Sequence, residues 1–178
     1  MSLVFTESKV DSTLYIKVEG GIPLMLLLYV DDLFFTGEEE LIQDARKILA
    51  TEFEMKYLGM MHCFLGMEVW RNADGIFLGQ GKYTMDILKR FRMLDYKVIA
   101  KPIALKLNLL SDVASDSVDA MMYCYMIGSL MYLTNTRPYI CFAVNTLSQF
   151  LKDLRHVHLI SANDILRYLK GIVNYGLK

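Results

Sequence analysis

The sequence predicts an α+β protein in which antiparallel strands and hairpins come first and helices follow. Three observations predict it. The first eighty or so residues fall into short apolar and β-branched runs separated by Gly-Gly, Asp-Asp and Asp-Gly. The last sixty carry apolar residues at helical spacing. Hydrophobic residues make up 54% of the 178, and the mean hydropathy is +0.29. That composition supports a sizeable core and argues against disorder.

The elements follow in order. Leu14–Glu19 starts apolar and β-branched and ends in Gly20-Gly21, a strand running into a turn. Pro23 begins an apolar run to Val30, and a continuous run of that length predicts a strand covered on both faces. Leu33–Phe35 is its return strand, with Asp31-Asp32 at the connection. Thr36 or Gly37 opens a helix whose first turn holds Glu38, Glu39 and Glu40, complementing the positive end of the helix dipole. Leu41, Ile42, Ala45, Ile48 and Leu49 form its apolar face.

Cys63–Trp70 and Ile76–Gln80 flank a loop containing Asp74-Gly75, a hairpin signal. Tyr83–Leu94 interleaves Lys89, Arg90 and Arg92 with apolar residues and reads as an amphipathic helix with a basic side. Ile99–Ser117 is irregular and serves as a linker. Three helices are predicted beyond it, at Ala120–Thr134, Arg137–Leu151 and His158–Leu169. Pro138 sits early in the second and Gly171 stops the third.

Three parts result: a β-rich part over 1–81, a helix and linker over 82–106, and a helical part over 107–178. Charge follows the same division. Residues 1–81 carry six Lys/Arg against thirteen Asp/Glu, and residues 82–106 carry seven against two. The last 42 residues are again basic, six against two. The net charge of −1 selects no partner, but the split suits a metal site beside a polyanion track, or ordinary scatter over solvated helix faces.

Cys63, Cys124 and Cys141 are odd in number, widely spaced and form no Cys-x-x-Cys, which predicts buried free thiols in a reducing compartment. His156 and His158 have no matching cysteines for a zinc site, and His62-Cys63 lacks an orienting acid. There is no signal-peptide pattern, and Leu24–Val30 and Met121–Leu133 are too short to span a bilayer. The expectation is a soluble intracellular protein, cytoplasmic or nuclear, with no membrane partner. The twelve methionines suit core filling, and would also let a core readjust.

Tyr29-Val30-Asp31-Asp32 is the most informative motif. Unpaired ionised carboxylates stay in water, so the tip exposes negative charge. It is either a solvated turn or a divalent-metal site for phosphoryl transfer, where hard oxygen ligands hold magnesium beside substrate phosphates.

Seven ordered segments carry a resemblance to the reverse transcriptase of copia-type LTR retrotransposons. Phe5–Lys17 (FTESKVDSTLYIK) and Leu26–Gly37 (LLLYVDDLFFTG) resemble its catalytic hairpin and the segment before it. Phe53–Val69 (FEMKYLGMMHCFLGMEV) and Gly75–Tyr83 (GIFLGQGKY) resemble the primer-contacting region. Gly128–Leu133 (GSLMYL), Thr136–Ile140 (TRPYI) and Ile165–Gly171 (ILRYLKG) resemble the stretch before the RNase H domain. Tyr139 and Gly81 depart from the family's usual aspartate and basic or polar residue.

The resemblance implies part of a right-hand polymerase: the second half of the palm, then a helical thumb and connection. Asp31 is then the palm aspartate that holds catalytic magnesium, and Asp32 its less direct neighbour. Lys56 stands near the incoming phosphates, or is a solvated lysine. Phe64-Leu65-Gly66 is the primer grip, though Gly66 reads equally as a close-packing strand glycine. Tyr29, Lys82, Lys89, Arg90 and Arg92 become contacts to an RNA or DNA duplex, following its backbone without reading sequence.

Two metal ions about 4 Å apart need carboxylates from more than one strand, and no second palm aspartate is recognisable ahead of Leu24. The start within the palm and the end where RNase H would begin predict a naturally truncated reading frame, retained for a new role. The expected function is a nucleic-acid- or protein-binding module without independent catalysis. The alternative is a magnesium-dependent RNA-directed DNA polymerase complemented by the missing palm and fingers. Half a palm also leaves open sheet edges and an apolar face, which predicts a homodimer through that sheet.

Overall fold

The structure, a computed structural model, describes residues 4–103 and 119–178. It is α+β, with two four-stranded antiparallel sheets and five α-helices among the described residues. The chain divides into two compact units, Met1–Gly59 and Met60–Lys178. The boundary expected near 81 lies inside the second unit, and the one expected near 106 lies outside the described residues, as does most of the expected linker.

In the first unit the strands run in order β1 (Thr6–Glu7), β2 (Leu14–Glu19), β3 (Ile22–Tyr29) and β4 (Asp32–Thr36). Strand β2 has the bounds its residues predict, and Gly20 and Gly21, both at positive φ, make the turn to β3. Helix α1 (Glu39–Glu52) follows, with Glu38 before it and Glu39 and Glu40 in its first turn.

The expected burial of both faces of β3 is not found. Leu24 and Leu26 are buried, Met25 and Leu27 are half-buried, and Ile22, Leu28 and Tyr29 are exposed. The physical reason is supply: among the described residues of this unit one helix accompanies four strands. Ala45 is that helix's one buried residue.

In the second unit the sheet order is β5 (Cys63–Phe64), β6 (Met67–Asn72), β7 (Gly75–Gly79) and β8 (Gly176–Leu177). The single strand expected over Cys63–Trp70 is two strands with a tight turn at Leu65-Gly66, both at positive φ (49° and 73°). That is the primed turn geometry that matches strand twist. The Asp74-Gly75 hairpin forms as expected, with Asn72 opposite Gly75.

Helix α2 (Gly81–Arg90) starts and stops earlier than Tyr83–Leu94, and Arg92 at φ 56° ends its extension. Helix α3 (Ala120–Leu133) begins where expected, because the Asp119 carboxylate accepts from the Met121 and Met122 amides at 2.9 and 3.0 Å. The helix expected over Arg137–Leu151 is a 3₁₀ turn (Pro138–Ile140) followed by α4 (Cys141–Ser148). Helix α5 (His156–Lys170) ends at Gly171, as its sequence indicates.

The core of this unit joins these helices: Ile87 and Leu88 of α2, Tyr123, Ile127 and Leu130 of α3, Val144 and Leu147 of α4, and Ile165 and Leu169 of α5. Truncating one such leucine to alanine costs about 2–5 kcal/mol. The cysteines are free but not buried: Cys63 and Cys124 are exposed and Cys141 is intermediate. His158 is buried, stacks on Phe150 at 4.1 Å and accepts the Arg155 amide on Nδ1 at 3.0 Å. No helix among the described residues is long and apolar enough to cross a membrane.

Candidate active site and nucleic-acid interface

The β3–β4 hairpin builds the acidic tip. Tyr29 pairs with Asp32, so Val30 and Asp31 form a two-residue turn. Val30 sits at φ 54° and is 82% exposed, a β-branched residue in left-handed backbone. Asp31 and Asp32 are both exposed at the apex. Their oxygen chemistry fits one magnesium ion, which takes one or two carboxylates and fills its other positions with water and substrate phosphate. Among the described residues, no group of three His, Cys, Asp or Glu gathers that could hold a metal ion.

Lys56 lies in the same unit, in the exposed stretch after α1. Beside it the Arg46 guanidinium sits 3.2 Å over the Tyr57 ring. Among the described residues no hydrogen bond or ion pair joins Lys56 to either aspartate.

Phe64, Leu65 and Gly66 lie in the second unit, at the β5–β6 turn. The Tyr132 hydroxyl of α3 donates to the Leu65 carbonyl, and a Cβ on Gly66 would come within 2.5 Å of that hydroxyl. Tyr132 also packs edge-on against Tyr83 of α2 at 4.8 Å. The tip is thereby fastened to both helices, which gives Gly66 a packing reason of its own.

Helix α2 presents Lys82, Lys89 and Arg90 to solvent, and Arg92 follows. Among the described residues none of these four cations is in an ion pair. Lys82, Met85, Asp86 and Lys89 form one stripe along the helix, facing a groove of about 460 Å³ that Trp70 and Glu68 of β6 also line.

Sequence reasoning missed three things. Arg137 was counted with the basic surface of the last segment, yet it is fully buried. Its guanidinium donates to the Ile172 and Val173 carbonyls at 2.7 Å each, to the Tyr139 hydroxyl at 3.1 Å and to Thr84 Oγ1 at 3.2 Å. Next to it, Thr136 Oγ1 donates to Gln80 Oε1 at 2.7 Å. These bonds lock α2, the α3–α4 junction and the chain after α5 together. Burial pushes the Tyr139 hydroxyl above its ordinary pKa, against the lowering effect of Arg137. Tyr132 and Trp70 were missed as well. Arg137 and Tyr132 had a visible signal, inside the Thr136–Ile140 and Gly128–Leu133 segments; Trp70 had none.

Two antiparallel sheets with helices are compatible with part of a reverse-transcriptase domain. Residues 1–105 match the reverse transcriptase (RNA-dependent DNA polymerase) family, and the chain belongs to it. Its relatives place it with the copia type. It is 36% identical over 180 residues to the retrovirus-related Pol polyprotein from transposon RE1 of Arabidopsis thaliana, covering 99% of this chain and 12% of that protein. It is 35% identical over 158 residues to the Pol polyprotein from transposon TNT 1-94 of Nicotiana tabacum, covering 83% of this chain and 12% of that protein. An uncharacterized mitochondrial protein of Arabidopsis thaliana is 38% identical over 156 residues, covering 86% of this chain and 64% of its own. The chain thus spans about an eighth of the transposon polyproteins it matches. No solved structure matches it.

Proposed function

We propose that this chain is a nucleic-acid-binding portion of a copia-type reverse transcriptase that engages a primer–template duplex and does not polymerise DNA by itself. The observation that carries the reading is a set of exposed cations that form no ion pair among the described residues, Lys82, Lys89 and Arg90 on α2 and Arg92 just beyond it, in the unit that also holds the Phe64-Leu65-Gly66 turn. Cations on a rigid helix neutralise backbone phosphates without reading bases. Four such contacts give a slope of about −3.6 for log K against log salt on duplex DNA. Binding of a labelled duplex across a salt series tests this. A slope near that value, reduced by about 2 in the Lys89→Ser, Arg90→Ser double variant, is expected. No binding at low salt removes the proposal.

The Asp31-Asp32 tip favours a second reading, nucleotidyl transfer. Asp31 would hold magnesium and Asp32 would assist, with Lys56 toward the incoming phosphates. When bound, the metal would neutralise charge developing on the transferred phosphoryl group. A further carboxylate from another segment or another chain would complete the cradle. Primer extension with magnesium and nucleotides separates the readings: extension by the purified chain that vanishes in Asp31→Asn establishes catalysis and removes the first. The exposed Val18, Ile22, Leu28 and Tyr29 of the first sheet support self-association through that sheet, and a monomer by light scattering removes it.

A further inference from the structure

We infer that the groove between β6 and α2 seats an unpaired nucleobase on Trp70, with its flanking phosphates on Lys82 and Lys89. The inference rests on the nucleic-acid reading above and adds a site and a strandedness to it.

The argument starts from β6. Val69 is buried, so alternation turns Trp70 to the opposite face, where it is 45% exposed. An indole of that size is normally buried to a large degree. Here it is seated: a Cβ at Gly79 would lie 2.5 Å from its benzo ring, so the glycine allows the ring to rest on β7. A ring supported on one side and open on the other is a stacking platform. Met85 of α2 adds an apolar wall.

The charges decide the ligand. Lys82 and Lys89 line the same groove, seven residues apart and so about 10.5 Å apart along the helix. Both ammonium groups lack an ion pair among the described residues. Of the two carboxylates in the groove, Glu68 is already engaged, accepting the Gly81 amide at 2.7 Å and the Lys82 amide at 3.3 Å. Asp86 lies on the helix stripe between the two lysines. A half-exposed indole that shares its groove with two ammonium groups, neither in an ion pair among the described residues, suits a base with phosphates on either side. A duplex hides its base faces, so the ligand is a single strand or an unpaired end.

Trp70 is the chain's one tryptophan, so indole emission excited beyond the absorption of the eleven tyrosines reports this groove alone. The test titrates the chain with fluorescein-labelled oligothymidylate and reads label anisotropy and tryptophan emission together. Quenching of Trp70 with the same midpoint as the anisotropy rise is expected. Trp70→Ala should weaken binding about tenfold while Trp70→Phe retains most of it. Lys82→Ser with Lys89→Ser, both on exposed positions of α2, should flatten the salt slope by about 1.4. Asp86→Asn should tighten binding. An anisotropy rise with no quenching and no effect of Trp70→Ala overturns this site and leaves the broader reading standing. No anisotropy change with either oligothymidylate or a duplex overturns both.

Discussion

The Tyr132 hydroxyl on α3 donates to the Leu65 carbonyl at the β5–β6 turn, tying together residues 67 positions apart. The bond pins the β5–β6 turn, at the edge of the four-stranded sheet, to α3. Tyr132→Phe keeps the edge contact with Tyr83 and removes only the hydroxyl. It should lower stability by about 1 kcal/mol, read as a shift in the urea midpoint at unchanged slope. Gly66→Ala should cost more, because the added Cβ meets that hydroxyl and the backbone sits at φ 73°. If the two changes are equal, the turn is not pinned by Tyr132.

Arg137 should be the most sensitive polar position in the second unit. Replacing it by methionine removes the donor to the part-buried Ile172 and Val173 carbonyls, and each costs about 1–3 kcal/mol where water does not replace that donor. A loss of about 3 kcal/mol or more is expected by chemical unfolding. Arg137→Lys should recover little, since one ammonium cannot reproduce the planar fork that reaches two carbonyls and a hydroxyl at once. Full rescue by lysine would show that charge alone is needed there.

How much of this could be read from residues alone varies with the kind of signal. Strand β2 was legible because a β-branched run met Gly20-Gly21, and the start of α3 was legible because apolar residues recur at helical spacing from Ala120. The Leu65-Gly66 turn was not, since an apolar leucine at positive φ carries no turn signature. Arg137 was misread because arginine is a surface residue by default, and only tertiary packing supplies four oxygens around it. Strand β8 is two residues long and forms where Gly176 allows close approach to the Leu78 carbonyl. In the candidate site, Asp31 and Asp32 were legible from adjacency. The groove at Trp70 was not, because a tryptophan in a strand reads as core.

Stability should fall at high pH through Tyr123. Its hydroxyl is buried, donates to the Leu147 carbonyl at 2.9 Å, and burial pushes its pKa up to about 12. The unfolded tyrosine ionises near 10, so the folded chain holds the proton more tightly. That contribution is intact below pH 10 and is lost as pH rises from 10 toward 12. At about 1.4 kcal/mol per pH unit the loss approaches roughly 3 kcal/mol. Urea unfolding at pH 8 and pH 11 measures it. Tyr123→Phe should be less stable at pH 8 but should lose less between the two pH values.

The Val30 backbone makes the last prediction. A β-branched residue at φ 54° costs about 1–2 kcal/mol relative to glycine, and Val30 is 82% exposed, so little burial offsets the strain. Glycine adds chain entropy to the unfolded state, worth about 0.5–1 kcal/mol in the other direction. Val30→Gly should therefore leave stability unchanged or raise it by up to about 1.5 kcal/mol. If the turn merely closes a hairpin, that variant should behave as wild type in every assay. If the strained turn positions Asp31 for magnesium, relaxing it should weaken magnesium binding although the fold is no less stable, as titration calorimetry of the chain with magnesium and a duplex would detect. A stability gain with unchanged magnesium affinity would mark the strain as incidental to the acidic tip.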